Sequence, residues 1–394
     1  MTEAMIVAAC RTPIGTAHRG TLTETDALAL AEIAVGEALR RSGLAASDID
    51  DVHLGENYYG GGDIARHVAL TLGMTTVPGL ALNRHCASGL SAVATAASGI
   101  RAGMERAVIA GGTQSSSTAP VTRRRVLGTA DEVEDPWFSP THVDSPEAPN
   151  RDMTITVGWN AAVEAGLTRA QMDEWALRSH RRAVAAIDAG RFEDEIVPVK
   201  ATQRDGSVVE FSRDEHPRRT TTLEKLASLK PLHPEIEGFS ITAGNSSGVN
   251  DAASALTLAA DDLVAERGLT PLGRVVGWSS VGVDPARTGM ASVSAIPLAL
   301  RRSGLTVDDV ALWEINEAFA SVPLAACAAL GIDPERVNTS GSGCSLGHPV
   351  AASGARMLTT MVYELRRSGG GIGVASMCAG GGQGGAVVIE VPGA

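Results

Sequence analysis

Four short stretches of this 394-residue chain carry side chains able to do chemistry. In Asn83-Arg84-His85-Cys86-Ala87-Ser88-Gly89 a thiol stands between a short apolar run and an alanine-rich one. Read as strand, tight turn and helix, this places Cys86 in a helix's first turn, where unpaired N–H groups and the positive end of the helix dipole favour thiolate. The structural alternative is that Cys86 is a small packed apolar residue. Asn316 follows the apolar Trp313-Glu314-Ile315, at a strand end, where an amide caps a helix or points at a ligand. His348 sits in Leu346-Gly347-His348-Pro349, and Cys378 heads the glycine-rich run Ala379-Gly380-Gly381-Gly382. Each has a plainer reading: a turn for His348, a cap for Asn316, a bend for Gly380 to Gly382, core for Cys378.

The elements that must position these groups alternate. Residues 4–9 read as a strand, and 27–42 as an amphipathic helix stopped by Gly43. Residues 52–55 and 77–82 read as strands, 63–72 and 88–103 as helices, and 107–110 as a buried strand ending before Gly111-Gly112. This is the pattern of a parallel or mixed sheet covered on both faces. The pattern recurs. Ala38-Leu39-Arg40-Arg41-Ser42-Gly43-Leu44 reappears letter for letter as Ala299-Leu300-Arg301-Arg302-Ser303-Gly304-Leu305, each copy followed by an Asp-rich turn and a short apolar strand. In that register Ser88-Gly89 matches Ser353-Gly354, and residues 108–111 fall close to 374–377. Two duplicated halves are expected, and a pseudo-twofold axis between them would bring the helix opening at Cys86, the one after His348 and the glycine-rich loop to one site.

Residues 115–247 have no counterpart in the repeat. They are rich in proline and polar residues and hold one clear helix, 169–189, opened by Thr168. Long insertions are where binding loops lie. Its arginines at 123–125, 181–182 and 218–219 suit phosphates or a solvated surface. The net charge of −12 argues against nucleic acid. Five widely spaced cysteines without C-x-x-C pairing read as reduced thiols rather than metal ligands. No apolar run is long enough to span a membrane and the N-terminus lacks a signal-peptide pattern, so a cytoplasmic location is the expectation.

Together, Asn83-x-x-Cys86-x-Ser88-Gly89, Asn316-Glu317-Ala318-Phe319-Ala320, Gly347-His348-Pro349 and Cys378-Ala379-Gly380-Gly381 resemble the active-site blocks of the thiolase family. The resemblance extends to Arg11-Thr12-Pro13-Ile14-Gly15 and to residues 242–251. It implies an α/β thiolase-like fold of two duplicated βαβαβ-type halves in α-β-α-β-α layers, plus an inserted loop domain. The implied division is residues 1–116 continued by 248–271, the insertion 117–247 binding coenzyme A, and residues 272–394. It further implies an acyltransferase that cleaves or forms 3-ketoacyl-CoA through an acyl-cysteine, with Cys86 acylated and Cys378 as general acid and base. His348 and a water held by Asn316 would hold the thioester oxygen, and the N–H groups of Cys86 and Gly380 would form a second oxyanion hole. For acyl-CoA and CoA, carry-over points to Arg218 near the nucleotide and Ser247 near the pantetheine, with Ala243, Gly244 and Ala318 as further contacts. No cofactor or metal is implied beyond CoA as substrate, and a homodimer or homotetramer is expected.

The chain departs from the family pattern at Gln114 to Ser117, at Asp152 (usually His), at Thr288 (usually Met) and over residues 340–345. These segments border the acyl and pantetheine pocket, so the substrate is less defined than the chemistry. A Claisen enzyme of a specialised pathway and a catalytically silent acyl-CoA-binding paralogue are the alternatives. A ketoacyl synthase would need a second histidine where Cys378 stands.

Overall fold

The computed structural model describes residues 2–59 and 63–393. Its first half runs β1 (Ala4–Arg11), α1 (Ala27–Ser42), β2 (Asp51–Gly55), α2 (Asp63–Thr71), β3 (Gly79–Leu82), α3 (Ser88–Arg101) and β4 (Ala107–Ser115). The insertion follows, with its long helix α4 (Arg169–Asp188), and β5 (Asn250–Ala260) returns to the core. The second half runs β6 (Gly273–Gly282), α5 (Ala291–Ser303), β7 (Val310–Ile315), α6 (Ser321–Leu330), α7 (Ser353–Arg367), β8 (Gly371–Ala379) and β9 (Gln383–Val391). Among the described residues these strands and Gly15–Thr16 make one ten-stranded sheet in the order β7-β8-β9-β6-β1-β5-β4-β2-β3.

The repeat read from the sequence is a repeat of topology. In one half β1-β5-β4 pair antiparallel and β4-β2-β3 parallel; in the other β6-β9-β8 pair antiparallel and β8-β7 parallel. A parallel bridge from Trp313 to Val337 stands where β3 would be. The halves join through the antiparallel pairing of β1 with β6. The seven-residue repeat forms the ends of α1 and α5, each with two arginines in its last turn, favourable at the negative end of the dipole. Each helix stops at a left-handed glycine, Gly43 (φ 72°) and Gly304 (φ 69°), where a side chain would be strained.

The two innermost helices, α3 and α7, begin at Ser88 and Ser353, the residues the repeat set opposite one another. They pack against each other through the glycines that follow. A Cβ on Gly89 would lie 2.6 Å from Ala351 O, and one on Gly354 would collide with the backbone of Leu90. The strand ending at Gly111-Gly112 is a correction. β4 runs through both glycines to Ser115 with all nine residues buried. The glycines do not stop the strand: a Cβ on Gly111 would meet Ser254 of β5, and one on Gly112 would meet Ala351, so they admit the neighbouring strand and the approach to α7. Helix α3 likewise ends at Arg101, short of the expected Gly103.

The insertion is anchored by a buried ion cluster. Arg11 of β1 donates Nε to Glu195 (2.6 Å) and its two terminal nitrogens to Asp214 (2.8 and 2.9 Å). Helix α4 is opened by Thr168 with a reciprocal Gln171 cap, as its sequence requires. No described helix is long and apolar enough to cross a membrane.

Candidate active site

Cys86 lies on the sharp turn between β3 and α3. The turn is built by Asn83, whose Oδ1 accepts the His85 N–H (2.8 Å), and by Ser88, whose Oγ accepts the Arg84 N–H (2.8 Å) and donates to His85 O (2.7 Å). His85 takes a left-handed φ of 46°, a conformation a non-glycine residue keeps only when its surroundings impose it. This corrects the expectation for the thiol. Cys86 precedes the helix cap Ala87 rather than lying in the first turn, and burial pushes its pKa up to about 11. The N–H groups of Gly380 and of Cys86 itself pull the other way but do not win. At neutral pH the resting residue is a thiol, so its activation needs a base.

The same two N–H groups show what the turn after β8 does. Gly380 opens a three-residue turn between β8 and β9, with Gly381 and Gly382 at φ 80° and 71°. A Cβ at Gly380 would stand 3.4 Å from the His85 ring. The Gly380 N–H also lies close enough to the Cys86 sulfur to favour its thiolate, so the turn brings a backbone donor beside the thiol. Thr288 fixes this turn: its Oγ1 accepts the Gly382 N–H (3.0 Å) and donates to Pro285 O (2.6 Å). The departure at position 288 thus supplies a hydroxyl to the active-site turn. Cys378, two residues before Gly380, is buried, and both its burial and the nearby Cys86 push its thiol far up.

His348 is the candidate base. Its Nδ1 lies 2.6 Å from Ser353 Oγ, which in turn donates to Pro349 O (2.9 Å). With its proton committed there, the hydroxyl accepts from Nδ1–H, leaving Nε2 with its lone pair free. Nε2 faces Asn316 Nδ2 at 3.5 Å. Burial, reinforced by the Arg356 guanidinium, lowers the imidazole pKa to about 4, so it is neutral under ordinary conditions. The Asn250 carboxamide sets this loop, accepting the His348 N–H (3.0 Å) and donating to Gly15 O (3.0 Å). Its packing leaves Gly347 (φ 106°) no room for a side chain.

Asn316 is no helix cap, because α6 begins only at Ser321 with Ala320 before it. It is fully buried, held by its own N–H to Ser376 O (3.0 Å), and its Oδ1 has no protein partner. A buried amide oxygen without a partner is placed to receive a water. The adjacent Glu317 holds the block. Its carboxylate accepts from Trp175 Nε1 (2.9 Å), Ser179 Oγ (2.6 Å), Asn338 Nδ2 (2.9 Å) and Cys344 N (3.1 Å). The unusual serines of 340–345 join the same network, Ser345 Oγ to Ser179 Oγ at 2.7 Å and Ser342 Oγ accepting from Arg356 at 2.9 Å. Ser353, Asn250, Glu317 and Thr288 had no positioning role in the sequence reading, Ser353 standing only as the partner of Ser88 in the repeat, Glu317 as part of the Asn316 block and Thr288 as a departure bordering the pocket.

The residues expected at coenzyme A fall on the insertion side. The Ser247 N–H donates to Ala318 O (2.9 Å), so these two meet. Gly244 is buried where a Cβ would strike Leu229 (2.6 Å) and Leu226, while Ala243 is exposed beside it. Arg218 is exposed; its N–H donates to His180 Nδ1 (3.1 Å), and His216 packs against Gly248. Arg123, Arg182 and Arg219 are engaged in ion pairs, whereas Arg218 has none among the described residues. With Arg19 it lines a cleft of about 350 Å³. Asp152 is paired with His233 Nε2 at 2.7 Å.

Family models agree with this construction. Residues 4–262 match the thiolase N-terminal domain and residues 269–391 the thiolase C-terminal domain. The chain belongs to the thiolase family. It is 38% identical to an acetyl-CoA acetyltransferase of Syntrophomonas wolfei over 98% of this chain and 99% of that one. It is 42% identical to a beta-ketoadipyl-CoA thiolase of Pseudomonas aeruginosa, with the same coverage. The crystal structure of human mitochondrial 3-ketoacyl-CoA thiolase in complex with CoA superposes with a TM-score of 0.90 at 36% identity, covering 99% of this chain and 98% of that one. This thiolase is accordingly an acyl-CoA C-acyltransferase, and neither a specialised Claisen role nor a silent binding role is favoured.

Proposed function

We propose that the protein thiolytically cleaves a 3-ketoacyl-CoA, and runs the reverse condensation, with Cys86 as acyl carrier. The observation that carries this is the meeting of the Cys86 turn with the turn after β8, where a Cβ at Gly380 would stand 3.4 Å from the His85 ring and Cys378, two residues before Gly380, lies near enough to Cys86 for the two thiols to interact. His348 Nε2 takes the Cys86 proton as the sulfur attacks the 3-keto carbon, and the N–H groups of Cys86 and Gly380 receive the oxyanion. The bond between C2 and C3 then breaks. His348 and a water on Asn316 hold the enolate oxygen while Cys378 protonates C2 and releases acetyl-CoA. Cys378, now a thiolate, deprotonates incoming CoA, whose sulfur takes the acyl group; Cys86 leaves and recovers its proton from His348. Arg218, Ser247, Ala243, Gly244 and Ala318 are proposed contacts of CoA, no other cofactor being required by this chemistry.

Incubation with acetyl-CoA or acetoacetyl-CoA is expected to add one acetyl mass to the peptide bearing Cys86, read by mass spectrometry after digestion. A stable adduct on Cys378 alone, or none with any acyl-CoA tried, would reject the assignment.

We also propose residues 1–116 with 248–271, 117–247 and 272–394 as the domain division, and a homodimer or homotetramer as the working assembly. Strand β3 ends the sheet and is only half buried, with Leu80 39% exposed, which makes it an edge for another chain to cover. Sedimentation is expected to give at least a dimer; a monomer at all concentrations would overturn this.

A further inference from the structure

The face of β2 that supports the active-site helix also carries an unassigned cluster. A Cβ on Gly55 would lie 2.5 Å from the N–H nitrogen of Gly89, so Gly55 looks at the N-terminus of α3. Alternate residues of a strand share a face, and His53 and Asp51 therefore look toward the helix's other end. There Glu105, just beyond α3, folds its carboxylate over Gly99. His53 Nε2 stands 3.3 Å from Asp51 Oδ2 and 4.0 Å from Glu105 Oε1.

The surroundings of this trio are what point to a ligand. The His53 side chain is 3% exposed, its Nε2 faces the two carboxylates, and among the described residues its Nδ1 and Glu105 Oε2 are buried without partners. Among the described residues no lysine or arginine pairs with Asp51 or Glu105. A third carboxylate, Asp50, lies close enough to add to the repulsion on Glu105, its own Oδ2 being taken by the N–H groups of Arg106 (2.5 Å) and Ala107 (3.0 Å). Buried polar atoms are ordinarily satisfied and buried carboxylates ordinarily meet a fixed cation, and here one imidazole faces converging carboxylates with no lysine or arginine paired to them among the described residues. The 3.3 Å from His53 to Asp51 matches two ligands on one ion, since tetrahedral bonds of about 2.0–2.1 Å put ligand atoms roughly 3.3 Å apart, and Glu105, at 4.0 Å, would move closer to complete the set.

We propose that Asp51, His53 and Glu105 form a divalent-cation site that fastens the C-terminal end of α3, the helix led by Cys86, to β2. One imidazole with two carboxylates suits zinc-class transition ions over magnesium or calcium, which prefer all-oxygen sites. The site is separate from the thiols, and the test keeps it so. Full-length protein alkylated with iodoacetamide, which blocks reactive cysteine as a competing ligand, is titrated with Zn²⁺ by calorimetry and with Co²⁺ by visible absorption. Wild type is expected to bind a stoichiometric ion and to melt several degrees higher with Zn²⁺. His53→Gln and Glu105→Gln are expected to bind about a hundredfold more weakly and to lose the Zn²⁺-dependent shift, while melting like metal-free wild type without the ion. Should His53→Gln fail to fold, Glu105→Gln, whose side chain lies nearer the surface, decides. Stoichiometric binding unchanged in the folded variants, or absent from alkylated wild type, overturns the proposal.

Discussion

Cys378→Ala is expected to lower thiolysis by about a thousandfold, within the range for loss of a positioned general acid and base, while Cys86 still acquires an acetyl group from acetyl-CoA. The division of labour follows from the two thiols' settings. Cys86 has the donors: the Gly380 N–H and its own N–H lie beside the thiol, where they can receive the acyl oxygen as it becomes an oxyanion. Cys378 is raised further by burial and by Cys86, which suits a proton donor that must not ionise at rest. Its loss should therefore fall on proton transfer at C2. Exchange of acetyl-CoA C2 hydrogens with deuterated solvent reads that step separately, and it should disappear in the variant. Equal loss of exchange and of Cys86 acylation would sink the assignment of roles.

How much of this was visible in the sequence depends on what each residue answers to. The caps and stops answer to neighbours in the chain, so Gly43 and Thr168 were legible, and α1 begins and ends where its periodicity does. The duplication was legible because the same local problem, ending a helix before a short strand, was solved twice with the same seven letters. Gly111 and Gly112 misled because their reason is distant: they give way to Ser254 and Ala351, not to a turn. Cys86 misled in the same way. A helix behind a thiol suggested a low pKa, but desolvation by residues from both halves outweighs two N–H donors. The roles of Glu317 and Asn250 lay unseen since their partners are spread across the chain from Gly15 to His348. Cys86, Asn316, His348 and Cys378 were singled out by type and spacing and given their expected roles by the family resemblance, whereas the groups that aim them are set by tertiary contact alone.

His348→Ala is expected to reduce kcat/KM by about a thousandfold or more, because the proposed mechanism uses this one side chain both as proton acceptor for Cys86 and as donor to the enolate oxygen. The pH profile distinguishes this from a loss of packing. In wild type the base has a pKa of about 4 and the thiol about 11, so the neutral imidazole and the protonated thiol coexist across the intervening range. Proton transfer coupled to the sulfur's attack on a thioester needs no hydroxide, so acylation of Cys86 by acetyl-CoA should vary little between pH 6 and 8, as should turnover. Without the imidazole, Cys86 must first ionise into solvent. Its acylation should then be slow at neutral pH and rise about tenfold per pH unit until the thiol's own pKa is approached. Ser353→Ala, which frees Nδ1 but leaves the ring, should keep the flat profile at reduced rate. A His348→Ala enzyme that also kept the flat profile would show that some other group takes the Cys86 proton.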